Sequence, residues 1–141
     1  GATETFDPSA TDVVAAIDQR TGGGTDVAFE VSGTGAGLND AVRSTRPGGC
    51  VTIVSIFDED VAINPTDIVA PELTVVGTLG SLAGPRASRG EFRTAGRWLA
   101  AGRIDGAPLV TGTISLDDIV AAGFEALLAE DSEHVKILVE P

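Results

Sequence analysis

Asp26-Val-Ala-Phe-Glu-Val-Ser-Gly33 and the stretch that follows it, Thr34-Gly-Ala-Gly-Leu-Asn-Asp-Ala-Val-Arg-Ser-Thr-Arg-Pro-Gly-Gly-Cys-Val-Thr-Ile-Val-Ser-Ile56, carry the reading of the fold. Val27 to Val31 is a short apolar run closed by Ser32-Gly33, as expected of a strand buried in a layered sheet. Leu38, Ala41, Val42 and Thr45 then recur at the spacing of one helix face. Pro47-Gly48-Gly49 is expected to stop that helix, and Val51, Ile53, Val54 and Ile56 supply a second apolar strand. Upstream, Thr3 to Phe6, the helix opened at Ser9 and Val27 to Val31 are joined closely enough to be expected as a parallel crossover unit.

The pattern continues in both directions. Upstream, Thr3 to Phe6 reads as a strand, and Ser9 with Asp12 three residues on reads as a capping box opening a helix. Val13, Ala16 and Ile17 form the apolar stripe of that helix, and Gly22-Gly23-Gly24 ends it. Downstream, Val61 to Asn64 and Leu73 to Leu79 read as strands, and the turn-rich Ser81 to Gly90 marks a boundary. Ser88 and Glu91 open a helix carrying Phe92, Ala95, Gly96 and Leu99, which Gly102 ends. Leu109 to Ile114 is a strand, Ser115 and Asp118 cap a helix with Ile119, Ala122, Gly123, Phe124 and Leu127, and Val135 to Val139 closes the series. Alternating strand and helix patterns favour an α/β architecture. No internal repeat interrupts them.

Composition narrows the function. The 141 residues carry a formal charge of −12, with nine scattered Lys and Arg, which disfavours nucleic acid and anionic membrane as partners. Asp outnumbers Glu, and Lys136 is the single lysine; an acidic surface of this kind points to a halophilic source ahead of an ordinary acidic cytosolic protein. Cys50 is alone, so no intramolecular disulfide is expected, and it reads as a small apolar residue opening a strand. No apolar run approaches a membrane span, and residues 1 to 20 lack a signal pattern. The expectation is a soluble, cytoplasmic protein.

Several segments together resemble one family. Asp26 to Gly33, Arg46-Pro-Gly-Gly49, Gly102-Arg-Ile-Asp105 with Pro108-Leu109-Val110, and Ser132-Glu-His-Val-Lys-Ile-Leu-Val139 recur in this order in the medium-chain, zinc-dependent alcohol dehydrogenases, most of all in the polyol, butanediol and threonine dehydrogenase branch. The similarity runs the whole length of the chain. It implies an incomplete doubly wound, Rossmann-like parallel sheet lacking its first two strands, followed by a C-terminal α/β segment of the GroES-like substrate domain. Residues 1–79 would be the partial nicotinamide-coenzyme-binding domain and 80–141 the substrate-domain segment. The implied reaction of the intact enzyme is hydride transfer between a secondary alcohol or polyol and NAD or NADP. In the strand order of such sheets, Thr3 to Phe6 would lie apart from Val27 to Val31, and in a folded stand-alone chain it is expected to move in and pair with them.

Ligands of doubly wound sheets lie past the carboxyl ends of the strands. The resemblance therefore implies a cofactor wall at Val31, Ser32 and Gly33, at Val54, Ser55 and Ile56, and at Thr78, Leu79 and Gly80, with Lys136 facing the cofactor phosphates. On residue type alone, Gly33 and Ser55 read better as plain turn formers than as cofactor contacts. Gly33-Thr-Gly35-Ala-Gly37 follows a strand and opens a helix, yet it lacks the Gly-x-Gly-x-x-Gly spacing of a pyrophosphate turn and is read as a flexible turn. The resemblance places the zinc ligands outside this chain. One Cys and one His cannot build a catalytic or structural zinc set, and His134 reads as a surface residue. Asp58-Glu59-Asp60 reads as a solvated loop, and no nucleophile with its base is apparent, so no catalytic residue is expected. The alternatives are a fragment of a zinc-free quinone or enone reductase, or a non-enzymatic interaction module. The resemblance also implies a homo-oligomer, joined where Val61 to Asn64 meets its two-fold mate.

Overall fold

The computed structural model describes residues 2–79 and 87–141, and the chain divides into two compact units, Gly1–Arg89 and Gly90–Pro141. The first begins with helix α1, Val13–Thr21. Its cap is Asp12, whose side chain accepts from the Ala15 amide at 3.0 Å. Ser9 does not cap the helix: its amide and hydroxyl donate to Asp7 Oδ1 at 2.8 and 2.7 Å, closing the turn at Pro8. Gly22, at φ 72°, ends α1 as expected.

Strand β1, Thr25–Glu30, leads through Val31-Ser32-Gly33 to helix α2, Gly35–Arg43, capped by Thr34. Helix α2 ends at Ser44, before the position expected from the Pro-Gly-Gly run. Thr45 already belongs to strand β2, Thr45–Ile53, and its hydroxyl donates back to the Ala41 carbonyl at 2.7 Å. Arg46-Pro47-Gly48-Gly49 is therefore a bulge. Thr25 faces Thr45 but Val27 faces Cys50, so these four residues bow out opposite Asp26, which Arg46 grips at 2.7 Å. Short helix α3, Thr66–Val69, and strand β3, Thr74–Gly77, complete the unit. The sheet is parallel throughout, in the order β1-β2-β3, as expected for consecutive strands of a doubly wound half.

The core lies between α2 and one face of the sheet. Leu38, Val42 and Val51 are buried at its centre, and Ala28, Ile53, Phe57, Ile63, Ile68 and Leu73 pack around them. Val27 and Phe29, which alternate with Ala28 and Glu30 along β1, remain exposed on the opposite face. Two expected strands do not form. Val61 to Asn64 is irregular, although Val61 and Ile63 still pack on the core. Thr3 to Phe6 forms no strand, and among the described residues nothing pairs with the outer edge of β1. The inward move onto β1 is thus overturned. Glu4 is held instead by an ion pair of 2.7 Å with Arg20 in the last turn of α1.

In the second unit, helix α4, Ala87–Ala100, ends where Gly102 turns at φ 64°, and Arg103 lies 5.2 Å from the Trp98 ring centroid. A 3₁₀ turn, Ala107–Leu109, occupies the front of the expected strand, leaving β4 as Gly112–Ser115. Ser115 and Asp118 do meet, hydroxyl to carboxylate at 2.8 Å. The helix beyond them is irregular: a 3₁₀ turn, Leu116–Asp118, a π-helical stretch, Ile119–Glu125, and a last α turn, α5, Ala126–Leu128. Strand β5, Ile137–Glu140, pairs in parallel with β4.

Candidate functional site

The carboxyl ends of β1, β2 and β3 lie level, with Glu30 opposite Ile53 and Ile53 opposite Gly77. Just beyond them the Val54 amide donates to the Glu30 carbonyl at 3.0 Å and the Thr78 amide to the Ile53 carbonyl at 2.9 Å. Val31, Val54 and Thr78 thus form one row, and Ser32, Ser55 and Leu79 begin the next. Gly33 closes the first corner against the second. At φ 69° it takes a left-handed turn, and a Cβ there would stand 2.9 Å from the Ile56 carbonyl oxygen and 3.6 Å from Ser55 Cβ. Only glycine lets these two corners touch without strain. Val31 and Ile56 are about 70% exposed, at 70% and 72%, so the wall they form is apolar and open.

The structure therefore brings eight of the ten residues named from sequence into adjacent rows, Val31 to Gly33, Val54 to Ile56, Thr78 and Leu79. Gly80 lies outside the described residues. Lys136 belongs to the second unit, where its amide donates to Thr111 Oγ1 at 3.2 Å and its carbonyl accepts from the Thr111 amide at 2.9 Å, with the residue exposed.

Beneath the first corner sits a residue that the sequence reading passed over. Glu30 is 2% exposed. Its Oε1 accepts from the Ser32 amide at 2.7 Å, the Ser32 hydroxyl at 2.7 Å and the Gly33 amide at 2.9 Å, while Oε2 has no partner. Burial pushes the carboxyl up. The Ser32 and Ser55 hydroxyls and the Ser32 and Gly33 amides together outweigh it and hold the group below its ordinary 4.5. The available signal was an acid at the end of an apolar strand directly before Ser-Gly.

Past Gly33, a cavity of about 520 Å³ is lined by Gly33, Thr34 and Gly35 on one side and by Asp58 to Ala62 on the other. Asp58, Glu59 and Asp60 are exposed around it. Gly35 and Gly37 form the first turn of α2 rather than a loose loop, and a side chain at Gly37 would collide with Ser32 Oγ. Metal donors do not gather anywhere: among the described residues no three His, Cys, Asp or Glu side chains converge. Cys50 is half-buried in β2, and His134 Nδ1 lies 3.3 Å from Thr111 Oγ1. These donors do not fit a zinc site. No helix among the described residues is long and apolar enough to cross a membrane.

Residues 1–101 match the family described as zinc-binding dehydrogenase. Over 136 residues the chain is 46% identical to (R,R)-butanediol dehydrogenase of Bacillus subtilis (strain 168), covering 96% of this chain and 37% of that protein. The crystal structure of 2R,3R-butanediol dehydrogenase from Bacillus subtilis superposes with a TM-score of 0.83 at 43% identity, over 96% of this chain and 37% of that one. A structure from Sinorhizobium meliloti 1021, described as a zinc-binding dehydrogenase bound to NADP, gives 0.82 at 34% identity over 100% and 40%. The chain thus spans about 37% of the length of the curated butanediol dehydrogenase it matches.

Proposed function

This chain belongs to the zinc-binding dehydrogenase family, and from that premise we propose that it is the C-terminal part of an NAD(P)-linked, zinc-dependent dehydrogenase of secondary alcohols or polyols. The observation that carries the reading is the pair of level strand corners locked at Gly33, an open apolar wall where a doubly wound sheet holds its ligand. A nicotinamide cofactor bound there supplies the hydride acceptor. Val31, Ser32 and Gly33 would let its adenine or ribose approach, Val54, Ser55 and Ile56 would lie against the nicotinamide ring, and Thr78 and Leu79 would continue the wall on the nicotinamide side. Residues 1–79 would then belong to the coenzyme domain and 80–141 to the substrate domain.

Among the described residues no set of donors fits zinc, and the reading assigns the zinc ligands and the catalytic groups of the intact enzyme to residues outside this chain. The same reading makes the protein a cytoplasmic homo-oligomer with a small alcohol as its substrate and no nucleic-acid or membrane partner. A charge of −12 fits a salt-rich setting, where cations screen self-repulsion. A zinc-free quinone or enone reductase, or a non-enzymatic module, draws support from no observation here.

The test is the complete reading frame around this sequence, expressed with zinc and assayed for NADH or NADPH formation from 2,3-butanediol and a panel of polyols. Alcohol-dependent reduction of the cofactor is expected. A zinc-loaded protein that reduces neither cofactor with any alcohol overturns the reading. The 141-residue chain alone is expected to bind NAD weakly or not at all, and micromolar affinity by calorimetry would contradict the assignment of the phosphate-binding turn to other residues.

A further inference from the structure

The turn before α2 has the outward form of an anion site: a glycine-rich corner, backbone amides converging at Ser32 and Gly33, and the N-terminus of a nine-residue helix. The converging amides already have an acceptor, and it is internal. Ser32 and Gly33 both donate to Glu30 Oε1.

The hydroxyls are committed in the same direction. Ser32 Oγ gives its one proton to Glu30 Oε1 at 2.7 Å. The 3.0 Å contact between Ser32 Oγ and Thr34 Oγ1 must then be donated by Thr34. Thr34 Oγ1 in turn accepts from the Gly37 amide at 3.0 Å. Three donors in sequence, Gly37 N–H, Thr34 O–H and Ser32 O–H, point their protons toward one buried anion, the Glu30 carboxylate. No proton of this set is left to face a ligand. Asp58, Glu59 and Asp60 line the far side of the adjoining cavity and add negative charge to the same approach.

We propose that Glu30 is a specificity-determining, positioning residue: its buried carboxylate stands where a bound anion would otherwise sit, so that this corner rejects phosphate and meets an uncharged part of the cofactor. The inference rests on the cofactor reading above for its ligand and on Glu30 geometry for its mechanism. Removing the carboxylate frees the Ser32 and Gly33 amides and the Ser32 hydroxyl at a helix N-terminus, which converts the corner into an anion site.

The experiment titrates inorganic phosphate into the 141-residue chain and follows the Ser32 and Gly33 amide resonances. In the wild type they are expected to stay still. In Glu30→Ala they are expected to shift saturably, with phosphate bound at least about tenfold more tightly than by the wild type, while the Val51 amide in the core does not respond. Glu30→Gln keeps an acceptor but loses the charge, and a smaller, saturable response is expected. Should the alanine variant unfold, the glutamine variant decides. Phosphate shifting these amides in the wild type overturns the proposal, as does a folded variant that shows no response. Cofactor titration of the complete dehydrogenase separates the two readings: if Ser32, Gly33 and Ser55 ignore NAD(P) while the phosphate behaviour is as expected, the cofactor reading fails and the role of Glu30 as internal anion stands.

Discussion

In the first unit Leu38, Val42 and Val51 are enclosed between α2 and the sheet, whereas in the second Phe92, Phe124 and Leu128 stay in solvent and Gly123 alone is buried among its described residues. The difference follows from layers. A three-stranded sheet with a helix laid across it closes a small core, but two strands beside an irregular π-helical stretch cannot. Apolar surface left open in this way marks a face for further packing.

A charge placed in each region gives the largest contrast. Val51→Asp puts an unpaired carboxylate where exposure is 0% and is expected to cost more than about 4 kcal/mol, enough to unfold the first unit. Leu128→Asp, at a residue 83% exposed, is expected to change stability by less than about 0.5 kcal/mol. Urea denaturation followed by circular dichroism measures both. Equal losses would erase the distinction between the units.

Gly33→Ala sharpens the picture within the first unit. The left-handed φ and the approach to the Ile56 carbonyl both oppose a Cβ, so a loss of about 2 kcal/mol is expected, together with weaker cofactor binding in the complete enzyme. Gly102→Ala in the second unit meets the same backbone strain at φ 64° but no neighbour within 4 Å, and should cost about half as much. Thermal unfolding of the two variants checks the ratio. Thr34→Ala removes the α2 cap and is expected to cost about 1 kcal/mol by the same measurement.

The smallest expected effect is with pH, because burial and hydrogen bonding act on Glu30 in opposite directions and only their difference remains. Its folded value lies below the ordinary 4.5, so the unfolded chain takes up the proton first. Stability from Glu30 is fully present above 4.5 and is lost as pH falls from there through the folded value. Glu30→Gln should flatten that part of the acid-unfolding curve of the first unit. An unchanged curve would show that the carboxylate has no such linkage.

Much of this architecture was legible before any coordinates. The apolar spacing of Leu38, Ala41 and Val42 placed α2, Gly22 and Gly102 ended their helices where expected, and the strand ends at Val31, Val54 and Thr78 lie level as the parallel reading requires. The misreadings have physical causes. Pro47-Gly48-Gly49 can break a helix or bow out of a strand, and here it bows out, because Cys50 to Ile53 pair with both neighbouring strands while Arg46 meets Asp26 across the bulge. Ser9 and Asp12 can both cap; Asp12 does, because Asp7 engages Ser9 first.

Apolar periodicity and turn chemistry are written into neighbouring residues, and they established an α/β chain with parallel strands, its family resemblance and the corners of its candidate site. Pairing is different, because a strand exists only if another segment satisfies its backbone. Val61 to Asn64 and Thr3 to Phe6 have the residues of strands, yet no ladder receives them among the described residues. The role of Glu30 arose in the same way. Its type says only that it carries a charge, and it became the internal anion of the site because folding buried it beneath the Ser32 and Gly33 amides, where its hydrogen bonds outweigh the cost of leaving water.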